Sequence, residues 1–409
     1  MKKEKTEGVE LLKDKVNEVI LQKQEEGILD KEPKPNRVKR DISIDLIRVV
    51  ACLLVIATHM CLQVLNQAFN RIDWGRLLEK SFLTDGVPLF FLITGFFLVN
   101  GRSYKKIWKG ALTKVLIPAL IFIILTQAFY PFIVNKASFM ECLNPINIEP
   151  LKIIEAILKG DVTKLNATCA HLWYIFSYIK ILLWIPLLWL VCKDNKESNL
   201  ARRMLMIFAA VKAVLYDVQR FGITIPVIGE LPLFTMIPTE ILYVLLGYEL
   251  FRNKDKIKNN KKVCVLSLVT FGLINLLRYK LEMQFMVNNF LTDVTGRANF
   301  LEWRYTALNL ISGVSLFMFL YSFEIKSVKL TRLIIWLSKM TFGVYLIHYV
   351  ILAKIDLYKF EVIEKFVFEL MYLAFGTIII FALSIACVWI ITKLYQLICK
   401  AFKRIIKLN

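Results

Sequence analysis

Several features common in other protein classes are missing from this 409-residue sequence. Its eight cysteines include no CxxC pair and no cysteine–histidine spacing typical of a zinc site, so we expect no bound metal. No internal repeat is visible, which disfavours the inverted-repeat architecture of many carriers. The N-terminal segment mixes acidic and basic residues, so we expect no cleavable signal peptide. Histidine is scarce, and the three present are His59, His171 and His348.

Apolar residues are abundant instead. Hydrophobic residues make up 57% of the chain and the mean hydropathy is +0.56, both far above a soluble domain. The composition predicts an all-α polytopic integral membrane protein. The fifth and seventh of ten apolar segments have only about 15 residues, fewer than the ~20 of a straight span. The ten segments are Ile44–Leu65, Phe82–Val99, Ala111–Val134, Leu172–Cys192, Met204–Val218, Pro232–Phe251, Val263–Leu277, Trp303–Phe323, Leu333–Leu352 and Leu370–Tyr395.

Positive charge is distributed unevenly among the loops. The net charge is +20, and lysine and arginine collect in every second loop, which follows the positive-inside rule and argues against nucleic acid as a partner. Loops 101–110, 252–262 and 324–332 are therefore predicted to be cytoplasmic. Both termini of the chain are predicted to lie on the same side. Loop 135–170 has balanced charge and is predicted to be external.

Residues 1–40 differ from the remainder, which we assign to one membrane domain, 41–409. Thr6–Glu26 carries apolar residues at helical spacing and is followed by the linker EPKPNR. This pattern predicts an amphipathic helix on a tether. Such a helix either lies on the membrane surface or self-associates, or it docks a specific partner.

The first apolar segment contains two ionisable residues, Arg48 and His59, in LIRVVACLLVIATH. Ionisable side chains are costly in hydrocarbon and by default indicate a functional site. A spacing of eleven residues places both within about 20° on one helix face and about 16 Å apart along the axis. Asp45, three residues before Arg48, is positioned to pair with it. The alternative is that Arg48 only extends to lipid phosphates.

Five motifs in order resemble those of the acyltransferase family 3 membrane proteins, over about Asp41 to Leu397. The segment DISIDLIRVVACLLVIATH resembles the first-helix signature, in which ten residues separate an arginine from a histidine. In GVPLFFLITGFFL, Thr94 replaces the usual serine, and in WKGALTKVLIP, Lys114 stands where arginine is commoner. The remaining two motifs are HLWYIFSYI, which starts at His171, and TFGVYLIH, which ends at His348.

The resemblance implies a bacterial multi-pass enzyme of the cytoplasmic membrane. Such an enzyme moves an acyl group, most often acetyl, from cytoplasmic acyl-CoA to a hydroxyl of a cell-surface glycan or its lipid-linked precursor. Acyl-CoA would be a co-substrate, with no permanently bound cofactor. Basic residues on the inner side are available for its phosphates, namely Arg48, Lys105, Lys106, Lys109 and Lys114.

Histidines supply the chemistry in this interpretation. His59 is the candidate base or acyl relay, because neutral imidazole accepts protons near physiological pH. His171 and His348 either orient the acceptor or the thioester carbonyl, or serve only in packing. The candidate supporting residues are Asp45, Thr94 and Glu240, the last of which we expect to face a cavity or a cation.

Two other functions fit the sequence less well. A transporter or flippase would also use intramembrane charges, and a membrane scaffold could recruit partners through the N-terminal helix. The acceptor, the acyl chain length and the oligomeric state are not determined by the sequence. A disulfide between Cys142 and Cys169 in the outer loop is chemically permitted in an oxidising compartment.

Overall fold

The computed structural model describes residues 40–61, 65–66, 71–72, 74–97, 103–129, 150–159, 167–220, 237–290, 306–355 and 366–408. The chain separates into two units, residues 1–41 and 42–409. The predicted amphipathic helix over residues 6–26 lies outside the described residues. The second unit is almost entirely helical, and its small sheet is one antiparallel pair of two-residue strands, β1 (Leu65–Asn66) and β2 (Arg71–Ile72).

The helices follow one another in a simple order along the chain. They are α1 (Ile42–Met60), α2 (Trp74–Leu83), α3 (Gly86–Phe96), α4 (Tyr104–Ala128), α5 (Pro150–Lys159), α6 (Trp173–Val191), α7 (Lys196–Arg220), α8 (Glu240–Arg252), α9 (Lys254–Ile257), α10 (Lys261–Phe290), α11 (Ala307–Tyr321), α12 (Val328–Ile355) and α13 (Phe366–Leu408). A 3₁₀ helix, Ala167–Leu172, directly precedes α6, and Leu112–Leu116 within α4 forms a π-helical turn.

The all-α polytopic fold predicted from composition is confirmed, but the count of ten spans is not. Six helices of the described chain are long and apolar enough to cross a membrane: Ile42–Met60, Tyr104–Ala128, Trp173–Val191, Lys261–Gln284, Val328–Ile355 and Leu370–Leu397. The predicted second span, Phe82–Val99, is interrupted, because α2 ends at Leu83 and α3 begins at Gly86. The predicted eighth span corresponds to α11, which has only 15 residues.

Two glycines allow α3 and α8 to pack backbone against backbone. A Cβ on Gly95 would lie 1.9 Å from the carbonyl oxygen of Val244, and one on Gly247 would lie 2.1 Å from that of Leu92. Any larger residue at either position would force the helices apart. Thr94, one residue before Gly95, is half-buried beside this contact.

A buried polar cluster holds the start of α3. The Asp85 carboxylate accepts hydrogen bonds from Asn309 Nδ2 at 2.8 Å and Ser312 Oγ at 2.6 Å, and Arg278 Nη1 lies 3.5 Å from it. Asp85 and Arg278 are completely buried. On the other side of the break between α2 and α3, Thr58 Oγ1 donates to the Leu83 carbonyl at 2.8 Å. The cluster therefore fixes the chain segment beside the last turn of α1.

Candidate active site

Helices α1 and α12 run parallel and are joined by three polar contacts in the same order along both. Ser338 Oγ donates to Asp45 Oδ1 at 2.7 Å, and Cys52 Sγ donates to the Thr341 carbonyl at 3.7 Å. The third contact joins His59 Nδ1 and His348 Nε2 at 2.9 Å. The parallel packing brings two motifs 289 residues apart into direct contact.

The third histidine completes a cluster. The ring centroid of His171 lies 5.0 Å from that of His348 and 6.2 Å from that of His59. His171 and His348 are buried, whereas His59 is partly exposed. The three histidines therefore converge at one point, and His59 is the most exposed member of the cluster.

The hydrogen bonds of His348 determine which nitrogen of each ring carries the proton. His348 Nδ1 lies 2.8 Å from the Tyr345 carbonyl and 3.1 Å from the Val344 carbonyl. Carbonyl oxygens only accept, so His348 Nδ1 carries a hydrogen, and in the neutral ring Nε2 must be the acceptor. His59 Nδ1 therefore donates to His348 Nε2, and the lone pair of neutral His59 lies on Nε2.

Two tyrosines shape the surroundings of His171. Tyr345 Oη donates to the His171 backbone carbonyl, which ties α12 to the 3₁₀ helix. The Tyr349 ring stacks on His171 at 5.5 Å and 10° and lies edge-on to His59 at 5.1 Å. Neither ring nitrogen of His171 makes a well-formed hydrogen bond within the part of the chain that the structure describes, although the backbone of Tyr345 and Leu346 interacts weakly with the ring.

Arg48 is held at the opposite end of the α1 face. Its Nη1 donates to Asp45 Oδ1 at 3.1 Å, which confirms the pairing expected from the spacing. Asp45 is buried, while about a third of the Arg48 side chain (33%) is exposed. The guanidinium also lies 5.4 Å from the centre of the Phe97 ring. Arg48 is thus oriented by protein contacts rather than extending freely towards lipid.

Polar and aromatic side chains occupy the space between Arg48 and the histidines. Thr94 Oγ1 donates to the Phe90 carbonyl at 2.9 Å, and the Phe90 ring lies 5.9 Å from that of Tyr174. The ring of Tyr174 lies 6.0 Å from that of Tyr345, whose own ring lies 5.2 Å from His171. Aromatic ring contacts therefore run from Tyr174 through Tyr345 to His171.

Sequence reasoning missed these tyrosines. A signal was nevertheless present, because Tyr345 and Tyr174 lie three residues from His348 and His171 in their motifs, and Tyr349 directly follows His348. Residues three apart share a helix face, so each tyrosine was placed to accompany its histidine.

The other candidate residues lie away from the histidines. Lys105, Lys106, Lys109 and Lys114 are exposed along the first half of α4, and none contacts a ring of the cluster. Glu240 is buried at the start of α8 and interacts with the Lys212 ammonium, so the expected cation is present. The charge interactions of the His59 and His171 imidazoles are with the other histidines and not with Glu240.

No group of three or more metal-binding side chains suited to an ion occurs among the described residues. Cys169 is buried with its sulfur 3.2 Å from Thr126 Oγ1, and Cys142, with which a disulfide is chemically permitted, lies outside the described residues.

The fold and the site together define a multi-pass membrane protein with an imidazole pair suited to proton transfer inside its helix bundle. The Acyltransferase domain of family 3 matches residues 41–392, nearly the whole chain, and the protein belongs to the acyltransferase 3 family of membrane acyltransferases. This confirms the resemblance seen in the five motifs. Neither a curated protein nor a solved structure gives a significant match.

Proposed function

We propose that the protein transfers an acyl group, most often acetyl, from cytoplasmic acyl-CoA to a hydroxyl of a cell-surface polysaccharide or its lipid-linked precursor in a bacterial cytoplasmic membrane. The observation that carries the proposal is the His59–His348 pair at one end of the helix face whose other end holds Arg48. The family supports acyl transfer in general. The donor, the acceptor and the roles of the residues are our inference.

Donor binding is assigned to the Arg48 end. A guanidinium presents its N–H donors in a planar fork, and such a fork suits phosphate oxygens. The exposed lysines of α4 supply further positive charge for a polyphosphorylated nucleotide. Arg48 and His59 lie about 16 Å apart along α1, so an extended pantetheine arm is suited to bridge them.

Transfer is assigned to the histidine end. The acceptor oxygen attacks the thioester carbonyl carbon while its proton moves to His59 Nε2, and a C–O bond forms. The C–S bond then breaks, and His59 returns the proton to the departing sulfur. His348 Nε2 accepts the hydrogen bond from His59 Nδ1 throughout and therefore stabilises the positive charge that His59 carries in between. No net proton is released, so one imidazole suffices as base and then acid.

Ester formation in membranes supplied with labelled acetyl-CoA tests the proposal. Wild-type membranes should transfer the label to glycan, and His59→Gln should lose about 10²- to 10⁴-fold in rate, because glutamine hydrogen-bonds but does not transfer the proton. Binding of CoA to the purified variant is the control and should stay close to wild type.

Two results would contradict the proposal. If His59→Gln esterified glycan at the wild-type rate, His59 would be a packing residue. If wild-type membranes formed no ester and instead moved a substrate across the bilayer, the protein would be a transporter.

A further inference from the structure

His171 is the one imidazole of the cluster that the transfer mechanism leaves without a task. His171 is 3% exposed, and neither ring nitrogen makes a well-formed hydrogen bond among the described residues, although the backbone of Tyr345 and Leu346 interacts weakly with the ring. A buried polar group without a partner costs about 1 to 3 kcal/mol, so such a group is retained where a ligand satisfies it. The ring must therefore be considered as part of a binding site.

The position of the ring is set by three neighbours. Tyr345 holds the His171 backbone through its hydroxyl, and Tyr349 stacks on one face of the imidazole. The ring of His348 lies edge-on to it at 5.0 Å and 73°. These contacts fix the orientation of the ring without using its nitrogens.

We infer that His171 donates a hydrogen bond to the thioester carbonyl oxygen of the acyl donor and stabilises the oxyanion that forms when the acceptor attacks. This inference rests on the proposed function. His59 and His171 have centroids 6.2 Å apart and planes inclined by 76°, so atoms of one bound substrate can lie within reach of both rings. The acceptor oxygen then faces His59 and the carbonyl oxygen faces His171.

Electrostatics favour this division of roles. His59 has a side-chain partner, His348 Nε2, that stabilises it when it becomes positively charged, whereas His171 has no side-chain acceptor at hydrogen-bond distance among the described residues and interacts only weakly with the backbone of Tyr345 and Leu346. Burial beside two other imidazoles opposes a positive charge on His171. A neutral imidazole with a free N–H is a suitable donor to a developing oxyanion, and removal of one such donor typically costs about 10²- to 10³-fold in rate.

Three variants at position 171 separate a donor from a packing residue. His171→Phe and His171→Met fill the space without a donor, whereas His171→Gln retains an N–H group. We expect the two apolar variants to transfer labelled acetyl from acetyl-CoA to membrane glycan about 10²- to 10³-fold more slowly than wild type. We expect His171→Gln to transfer acetyl at least about tenfold faster than the two apolar variants. All three variants should bind CoA and resist thermal unfolding much as wild type does.

The outcomes distinguish this inference from the proposed function. If His171→Phe or His171→Met transferred acetyl at nearly the wild-type rate, no donor would be needed at this position and the inference would be wrong. If His171→Gln were as slow as these two variants, an N–H group would not restore the rate, and the inference would again be wrong. The proposed function would survive either result, provided that wild type still formed ester and His59→Gln did not. Absence of ester with wild type would overturn both.

Discussion

Replacing His348 tests whether the hydrogen bond between the two histidines contributes to transfer. His348 accepts from His59 Nδ1 at 2.9 Å, and this bond becomes charge-assisted when His59 takes the acceptor proton. Hydrogen bonds to charged groups contribute about 1.5 to 3 kcal/mol, which corresponds to about 10- to 150-fold in rate. His348→Leu should lose that factor, because His59 then has no acceptor for its Nδ1 hydrogen and is free to adopt the other tautomer.

His348→Gln is the matched control, since its side-chain carbonyl is able to accept from His59 Nδ1. We expect it to transfer label from acetyl-CoA faster than His348→Leu and more slowly than wild type, because the amide must also adopt the correct orientation. Both variants should bind CoA normally, since His348 does not face the donor phosphates in our scheme. A His348→Leu protein that inserts normally and transfers acetyl at nearly the wild-type rate would refute this reasoning.

Four other measurements test the site and the fold. Arg48→Lys keeps the charge but loses the planar fork, so equilibrium binding should show roughly tenfold weaker affinity for CoA; unchanged affinity would return Arg48 to a structural role. Gly95→Ala should lower the free energy of unfolding of the purified protein by about 3 kcal/mol in a thermal unfolding assay, because the added Cβ collides with the backbone of α8. Arg278→Leu leaves Asp85 as a buried charge and should destabilise by about 3 to 5 kcal/mol in the same assay; a smaller loss than for an exposed control, Arg203→Leu, would argue against the ion pair. A single cysteine introduced near Lys258 should resist labelling from outside intact cells, and reaction there would reverse the predicted topology.

The candidate site was predictable from sequence only where its geometry is local. Arg48 and His59 share a helix face because the 3.6-residue period fixes it, and Asp45 pairs with Arg48 for the same reason. The apolar composition likewise predicted that the protein lies in a membrane. The span count did not follow, because two of the predicted spans contain helices of only 11 and 15 residues, α3 and α11, and the break at Thr84–Asp85 is stabilised by distant residues.

Contacts between distant segments were decided by tertiary packing. No local pattern indicates that His348 Nε2 meets His59 Nδ1, that Tyr349 stacks on His171, or that Glu240 faces Lys212. The close approach at Gly95 and the parallel packing of α1 and α12 set which helix faces meet. Sequence determines which residues a helix presents on each face, whereas the facing partner depends on side-chain packing across the whole bundle. For that reason the sequence supplied three isolated histidines, and only the packed helices joined them into one site.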